Sequence, residues 1–138
     1  MYIGAIDVGG TKTIVAVIDD RGKIHRKEQF PTVESDCRKH LDYCAGVLRR
    51  ILEQMNLTEE LLAGIGVTLP GIVDNKEGIL VRAVYEKWEQ VPVRQYLSES
   101  FPSLPVFCEN DVNACALGEQ YFGLGDRCKN YIWMTVST

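Results

Sequence analysis

Asp7, Gly9, Gly10, Thr11 and Lys12 fall within six consecutive residues. They supply a carboxylate, two positions without side chains, a hydroxyl and an ammonium. Bare backbone N–H groups, Thr11 and Lys12 suit an anion, and Asp7 suits a hydrated divalent cation. Together they fit the phosphates of a nucleotide with its metal. The pattern is neither G-x-x-x-x-G-K-[ST] nor G-x-G-x-x-G, and taken alone it also describes a plain hairpin turn. A second group is Glu109-Asn110-Asp111, expected where a strand ends and a helix begins. The helix dipole there favours an ionised Asp111. Such a carboxylate can take a proton from a substrate hydroxyl while a phosphoryl group is transferred. Asn and Asp are equally the favoured helix caps. The third group is Pro70-Gly71, where Pro70 fixes one dihedral and Gly71 admits close approach to the backbone. An ordinary Pro-Gly turn has the same composition.

The elements that must position these groups follow from periodicity. Tyr2–Ile6 and Ile14–Ile18 are β-rich runs of strand length, and Gly9-Gly10 between them predicts a tight turn at positive φ. Asp19-Asp20-Arg21-Gly22 is a further turn. Lys23–Phe30 reads as a polar third strand at an edge, and Pro31 is expected to break its ladder. Ser35 or Asp36 can cap a helix to about Asn56, with Leu41, Cys44, Leu48, Ile51, Leu52 and Met55 on one face. Thr58 can cap a short turn over Glu59–Leu62.

Ile65–Leu69 should join the sheet by a crossover and run into a loop, Pro70–Asp74, at its carboxyl end. Open α/β sheets bind ligands at that end. Ile79–Val81 reads as a short strand and Arg82–Gln90 as irregular, with Trp88 inside it. A helix over Val93–Ser100 starts with Pro92 at its first position. Val106–Cys108 is a strand, and Val112–Phe122 a helix closed by Gly123. Its small residues, Ala114, Cys115, Ala116 and Gly118, predict a closely packed neighbouring helix. Tyr131–Val136 reads as a final buried strand. The expected class is α/β: an antiparallel β-meander, then parallel strands with flanking helices.

The 138 residues fit one domain. A net charge of −4 with no basic run argues against a nucleic-acid partner. No stretch approaches the ~20 apolar residues of a membrane span. The start lacks the basic region of a secretory signal. The five cysteines are odd in number, and Cys37 and Cys44 lie about 10.5 Å apart along one helix, too far to bridge. Free thiols and a cytoplasmic setting are the expectation. Cys37, His40 and Cys44 share a helical face, but a metal there would need a ligand from elsewhere.

Three blocks carry a resemblance: Asp7-Val8-Gly9-Gly10-Thr11-Lys12, Leu69-Pro70-Gly71-Ile72-Val73-Asp74, and Glu109-Asn110-Asp111-Val112-Asn113-Ala114 continued by Ala116-Leu117-Gly118-Glu119. In this order and spacing they resemble the N-terminal domain of the ROK family, the sugar kinases and related repressors of the actin/hexokinase-like superfamily. The resemblance implies a ribonuclease-H-like fold and ATP-dependent phosphorylation of a hexose or amino sugar. It implies Asp111 as catalytic base, Asn110 and Gly71 at sugar hydroxyls, and Gly9, Gly10, Thr11 and Lys12 at the ATP phosphates. Asp7 would lie near Mg2+, through water. It further implies that residues 1–138 form one lobe of a two-lobe enzyme with little activity alone. The C-terminal lobe, with the family's zinc site, would be absent from this chain.

One departure concerns the sugar. Family kinases often carry Asn-Leu shortly before the tryptophan, whereas Ala83-Val84-Tyr85-Glu86-Lys87 precedes Trp88 here. Other readings are the sugar-sensing part of a ROK transcriptional regulator, a sugar-binding module without chemistry, and an acetate-kinase-like or activator ATPase. Apolar surface left for a second lobe would also favour homo-oligomers.

Overall fold

In the computed structural model, residues 1–32, 35–84, 87–123 and 127–136 are described. β1 (Tyr2–Val8), β2 (Lys12–Asp19) and β3 (Ile24–Pro31) form the meander. α1 (Cys37–Gln54) and a 3₁₀ turn, Glu59–Leu61, lead to β4 (Leu62–Leu69). β5 (Gly71–Asp74), β6 (Ile79–Ala83) and β7 (Glu89–Val91) follow, then α2 (Val93–Ser100), β8 (Val106–Asn110) and α3 (Asp111–Gly118). A π-helical turn, Glu119–Gly123, extends α3.

The main sheet has the order β3-β2-β1-β4-β8, with β1, β4 and β8 mutually parallel and the meander antiparallel. Alternation decides its two faces. Gly4, Ile6 and Val8 of β1 are buried, whereas Ile3, Ala5 and Asp7 are less so. The buried face meets α1 through Leu41, Cys44, Leu48 and Ile51, each fully buried. Asp36 caps α1 by accepting from the Arg38 and Lys39 N–H groups at 2.9 and 3.4 Å. Its other end closes on Asn56 at φ 53, with Leu57 N–H to Leu52 O at 2.9 Å and Asn56 N–H to Glu53 O at 3.0 Å. That is a Schellman closure with asparagine in the left-handed position.

Several expectations are corrected. Pro31 does not break β3; it is the last residue of the strand, opposite Lys12 on an edge where a missing N–H costs no ladder bond. Neither Gly9 nor Gly10 has positive φ. Gly9 is required by proximity instead: a Cβ there would lie 2.8 Å from the Lys12 carbonyl oxygen.

Pro70–Asp74 is no loop. Gly71 takes φ 149, and the chain passes straight into β5 of a second, three-stranded sheet, β5-β6-β7. The stretch expected to be irregular contains the short strand β7, and residues 85 and 86 within it lie outside the described set. Pro92 is the N-cap of α2, one position before its first turn.

The helix expected over Val112–Phe122 is α3 followed by the π-helical turn, so Gly123 belongs to that turn and is no helix cap. α3 packs on β4 and β8, and a Cβ at Gly118 would meet nothing within 4 Å. Among the described residues no helix packs closely on Gly118. Tyr131–Val136 forms no strand. No described strand pairs with it, and Ile132, Met134 and Val136 are exposed.

Candidate functional site

Parallel register lines up the polar residues. Asp7 of β1 is opposite Thr68 of β4, and Thr68 is opposite Glu109 of β8. Three side chains thus form a row across three adjacent strands, on the face turned away from α1 and near the strands' carboxyl ends. The Thr68 hydroxyl donates to Asp7 Oδ1 at 2.6 Å.

β8 ends at Asn110, which caps α3. Its Oδ1 accepts from the Val112 and Asn113 N–H groups at 2.9 and 3.1 Å, and its Nδ2 donates to Gly71 O at 2.8 Å. The third block therefore holds the second in place. Asp111 is the first residue of α3, and its Oδ1 also accepts from Val112 N–H at 2.9 Å. Glu109 takes three donors: Asn110 N–H at 2.8 Å, Asn75 Nδ2 at 2.8 Å and Asn113 Nδ2 at 3.1 Å. Burial works to raise the Glu109 carboxyl, but these three bonds outweigh it and hold it below its ordinary value.

A groove of about 630 Å³ opens between the uncovered sheet face and α3. Asp7, Gly9, Thr68, Glu109 and Asp111 line its polar part, and Ile3, Ala5, Ile18 and Phe107 its apolar part. The volume suits a small-molecule site. Cys115 also lines it, and its thiol is raised by burial, then by the charges of Asp7 and Asp111. Asp7, Asp111 and Cys115 thus line the same groove. Lys12 and Thr11 are exposed where β1 turns into β2, and Thr32 N–H fastens that turn through Thr11 O at 3.0 Å.

Most of the residues singled out in the sequence thus converge. Asp7, Gly9 and Asp111 share the groove, while Gly71 and Asn110 form a bonded pair at its edge. Thr68, Asn75, Glu109 and Asn113 complete the arrangement. Thr68 had a detectable signal: it is the one hydroxyl on an otherwise apolar strand. Cys37, His40 and Cys44 do not form a metal centre; among the described residues no group of three such side chains is placed to hold an ion.

The β3-β2-β1-β4-β8 sheet, with an antiparallel meander beside parallel β1, β4 and β8, defines a ribonuclease-H-like domain of the actin-like fold. The sequence profile of the ROK family matches residues 3–138, and the chain belongs to that family. It is 34% identical over 138 residues to a glucokinase of Halalkalibacterium halodurans, covering 99% of this chain and 41% of that one. A xylose repressor of Caldicellulosiruptor bescii is 31% identical over 104 residues, 75% of this chain and 26% of the relative. Among solved structures, a ROK family glucokinase from Streptomyces griseus in complex with glucose and AMPPNP superposes with a TM-score of 0.78 at 27% identity, covering 89% of this chain and 37% of that one. The chain thus spans about two-fifths of the glucokinases it matches. Both glucokinases and xylose repressors are thus among the relatives that match this chain. No described helix is long and apolar enough to cross a membrane.

Proposed function

We propose that this chain is the N-terminal lobe of a kinase that phosphorylates a hexose or amino sugar from ATP. The observation that carries the reading is the shared groove of Asp7, Gly9 and Asp111. Asp111 is the general base. It accepts the proton of the sugar hydroxyl as the oxygen attacks the γ-phosphorus, and the bond to the β–γ bridging oxygen breaks to release ADP. A bond from Val112 N–H at 2.9 Å holds Asp111 at the start of α3.

Gly71 and Asn110 position the sugar. Three of the Asn110 side chain's hydrogen bonds are internal, which leaves one amide N–H for a ligand. Gly9, Gly10, Thr11 and Lys12 take the phosphates; Gly9 N–H donates to Lys12 O at 2.9 Å and so sets the turn, and Lys12 neutralises charge.

The residues present also suit a hydrated Mg2+. Asp7 is exposed, and Thr68 holds Oδ1, leaving Oδ2 for a water of the ion. A lone carboxylate agrees with an ion held mainly by the nucleotide's phosphates. When bound, it would neutralise charge on the transferred group.

Most of the adenine pocket and the closure that excludes water belong to a second lobe in this reading, so the 138 residues alone would show little turnover. The xylose repressors among the relatives favour a second reading, a sugar-sensing domain. Phosphoryl transfer across a sugar panel, with and without Asp111, separates the two.

A further inference from the structure

The buried polar side chains among the described residues are Thr13, Thr32 and His40, and all three form one cluster. Thr13 Oγ1 lies 2.7 Å from Thr32 Oγ1 and 2.8 Å from His40 Nε2. Burying such groups is costly unless they are paired, and an apolar trio would fill the same core space.

Their placement is specific. Thr13 directly follows the Gly9–Lys12 turn, and Thr32 binds that turn through Thr11 O at 3.0 Å. On the other side, the His40 ring lies 5.6 Å from the Trp88 ring. Trp88 in turn binds Ser35 O through Nε1 at 3.3 Å and accepts from Ala83 N–H at 3.0 Å. Ala83 is the β6 partner of Gly71, and Val84 N–H binds Pro70 O at 3.0 Å. Contacts therefore run unbroken from the phosphate turn, through His40, to the strand pair that bears Gly71.

We propose that His40 is a positioning residue that links the phosphate turn to the sugar-side strand pair, so that nucleotide and sugar affinities depend on one another through it. This rests on the kinase reading. His40 touches neither ligand; it fixes Thr13 on one side and packs on Trp88 on the other. Linkage requires the effect to be reciprocal, with sugar tightening nucleotide by the same factor as nucleotide tightens sugar.

The test uses the complete protein that carries this chain. Glucose, mannose, N-acetylglucosamine and N-acetylmannosamine are assayed with Mg·ATP for kcat and both KM values. Calorimetry then gives the affinity for Mg·AMPPNP with and without saturating amounts of the sugar turned over. Wild type should show a coupling factor of about 5 or more. His40→Leu and Thr13→Val should bring it toward 1 and raise both KM values, without additivity in the double variant. His40→Gln, whose amide can still reach Thr13, should recover most of the factor.

Variants with lowered melting temperature but unchanged coupling and KM values would overturn the inference. So would a wild-type coupling factor of 1, or a failure of all three variants to fold. Absence of turnover in wild type would overturn the kinase reading and this inference together. Turnover in wild type with unaffected variants would overturn this inference alone.

Discussion

The Thr68 hydroxyl donates a 2.6 Å hydrogen bond to Asp7 Oδ1 and so orients the acid that stands beside the glycine turn. The two residues are cross-strand neighbours in a parallel pair, so the contact follows from register. Replacing Thr68 by Val keeps the shape and removes the donor. The pair is not deeply buried, so stability should change by about 1 kcal/mol or less. In the complete protein, the Mg2+ concentration giving half-maximal activity should rise about 3- to 10-fold. An unchanged Mg2+ requirement would contradict the role assigned to Asp7.

Two glycines should respond in opposite directions. At Gly71, φ is 149 and a Cβ would lie 2.1 Å from the Arg82 carbonyl oxygen. Gly71→Ala should destabilise by about 1–3 kcal/mol or more. Gly46 lies on the exposed side of α1 with nothing within 4 Å of a Cβ. Gly46→Ala should stabilise by up to about 1 kcal/mol. Urea unfolding of the two variants checks both signs.

The cysteines divide by burial. Burial pushes the thiols of Cys37 and Cys44 up to about 12 and that of Cys108 to about 11. Cys115 is exposed and Cys128 half-buried. Native-state alkylation followed by mass spectrometry should modify Cys128 and Cys115 first, and Cys115 modification should obstruct the groove. Labelling of Cys37 or Cys44 before global unfolding would contradict the packing of α1.

Asp19 closes the turn between β2 and β3. The His25 ring at 2.8 Å, then the Lys23 and Arg21 N–H groups, lower its carboxyl from 3.8 to about 2 against the opposing effect of burial. A depressed carboxylate stabilises the fold above its unfolded value of about 3.9. That contribution is lost as pH falls from there through about 2. An NMR titration of the Asp19 carboxyl should show a midpoint near 2, and one near 4 would show the turn to be open.

The meander, the capped α1 and the Asn110 cap were legible because each has a local cause: alternation, a 3.6-residue period, or an acceptor at the right offset. β5 was not, because Pro70-Gly71 has turn chemistry whether or not the chain then extends. Gly9-Gly10 marks a turn in the sequence, but its cause was not legible, since Gly9 avoids a clash and does not adopt positive φ. Tyr131–Val136 has strand composition without a partner among the described strands, and composition alone makes no ladder. The Thr13–His40 contact spans 27 residues, and no local pattern marks it. Thr68 and Glu109 join Asp7 only once the parallel register is known.

The most direct test of the central claim is phosphoryl transfer from ATP to the sugar panel by the complete protein and its Asp111→Asn variant. Wild type should yield a phosphorylated sugar, and the variant should lose at least about 10²-fold in kcat with sugar still bound. Sugar binding without phosphorylation in wild type, or undiminished turnover in Asp111→Asn, would contradict that claim and leave Asp111 as the first residue of a helix.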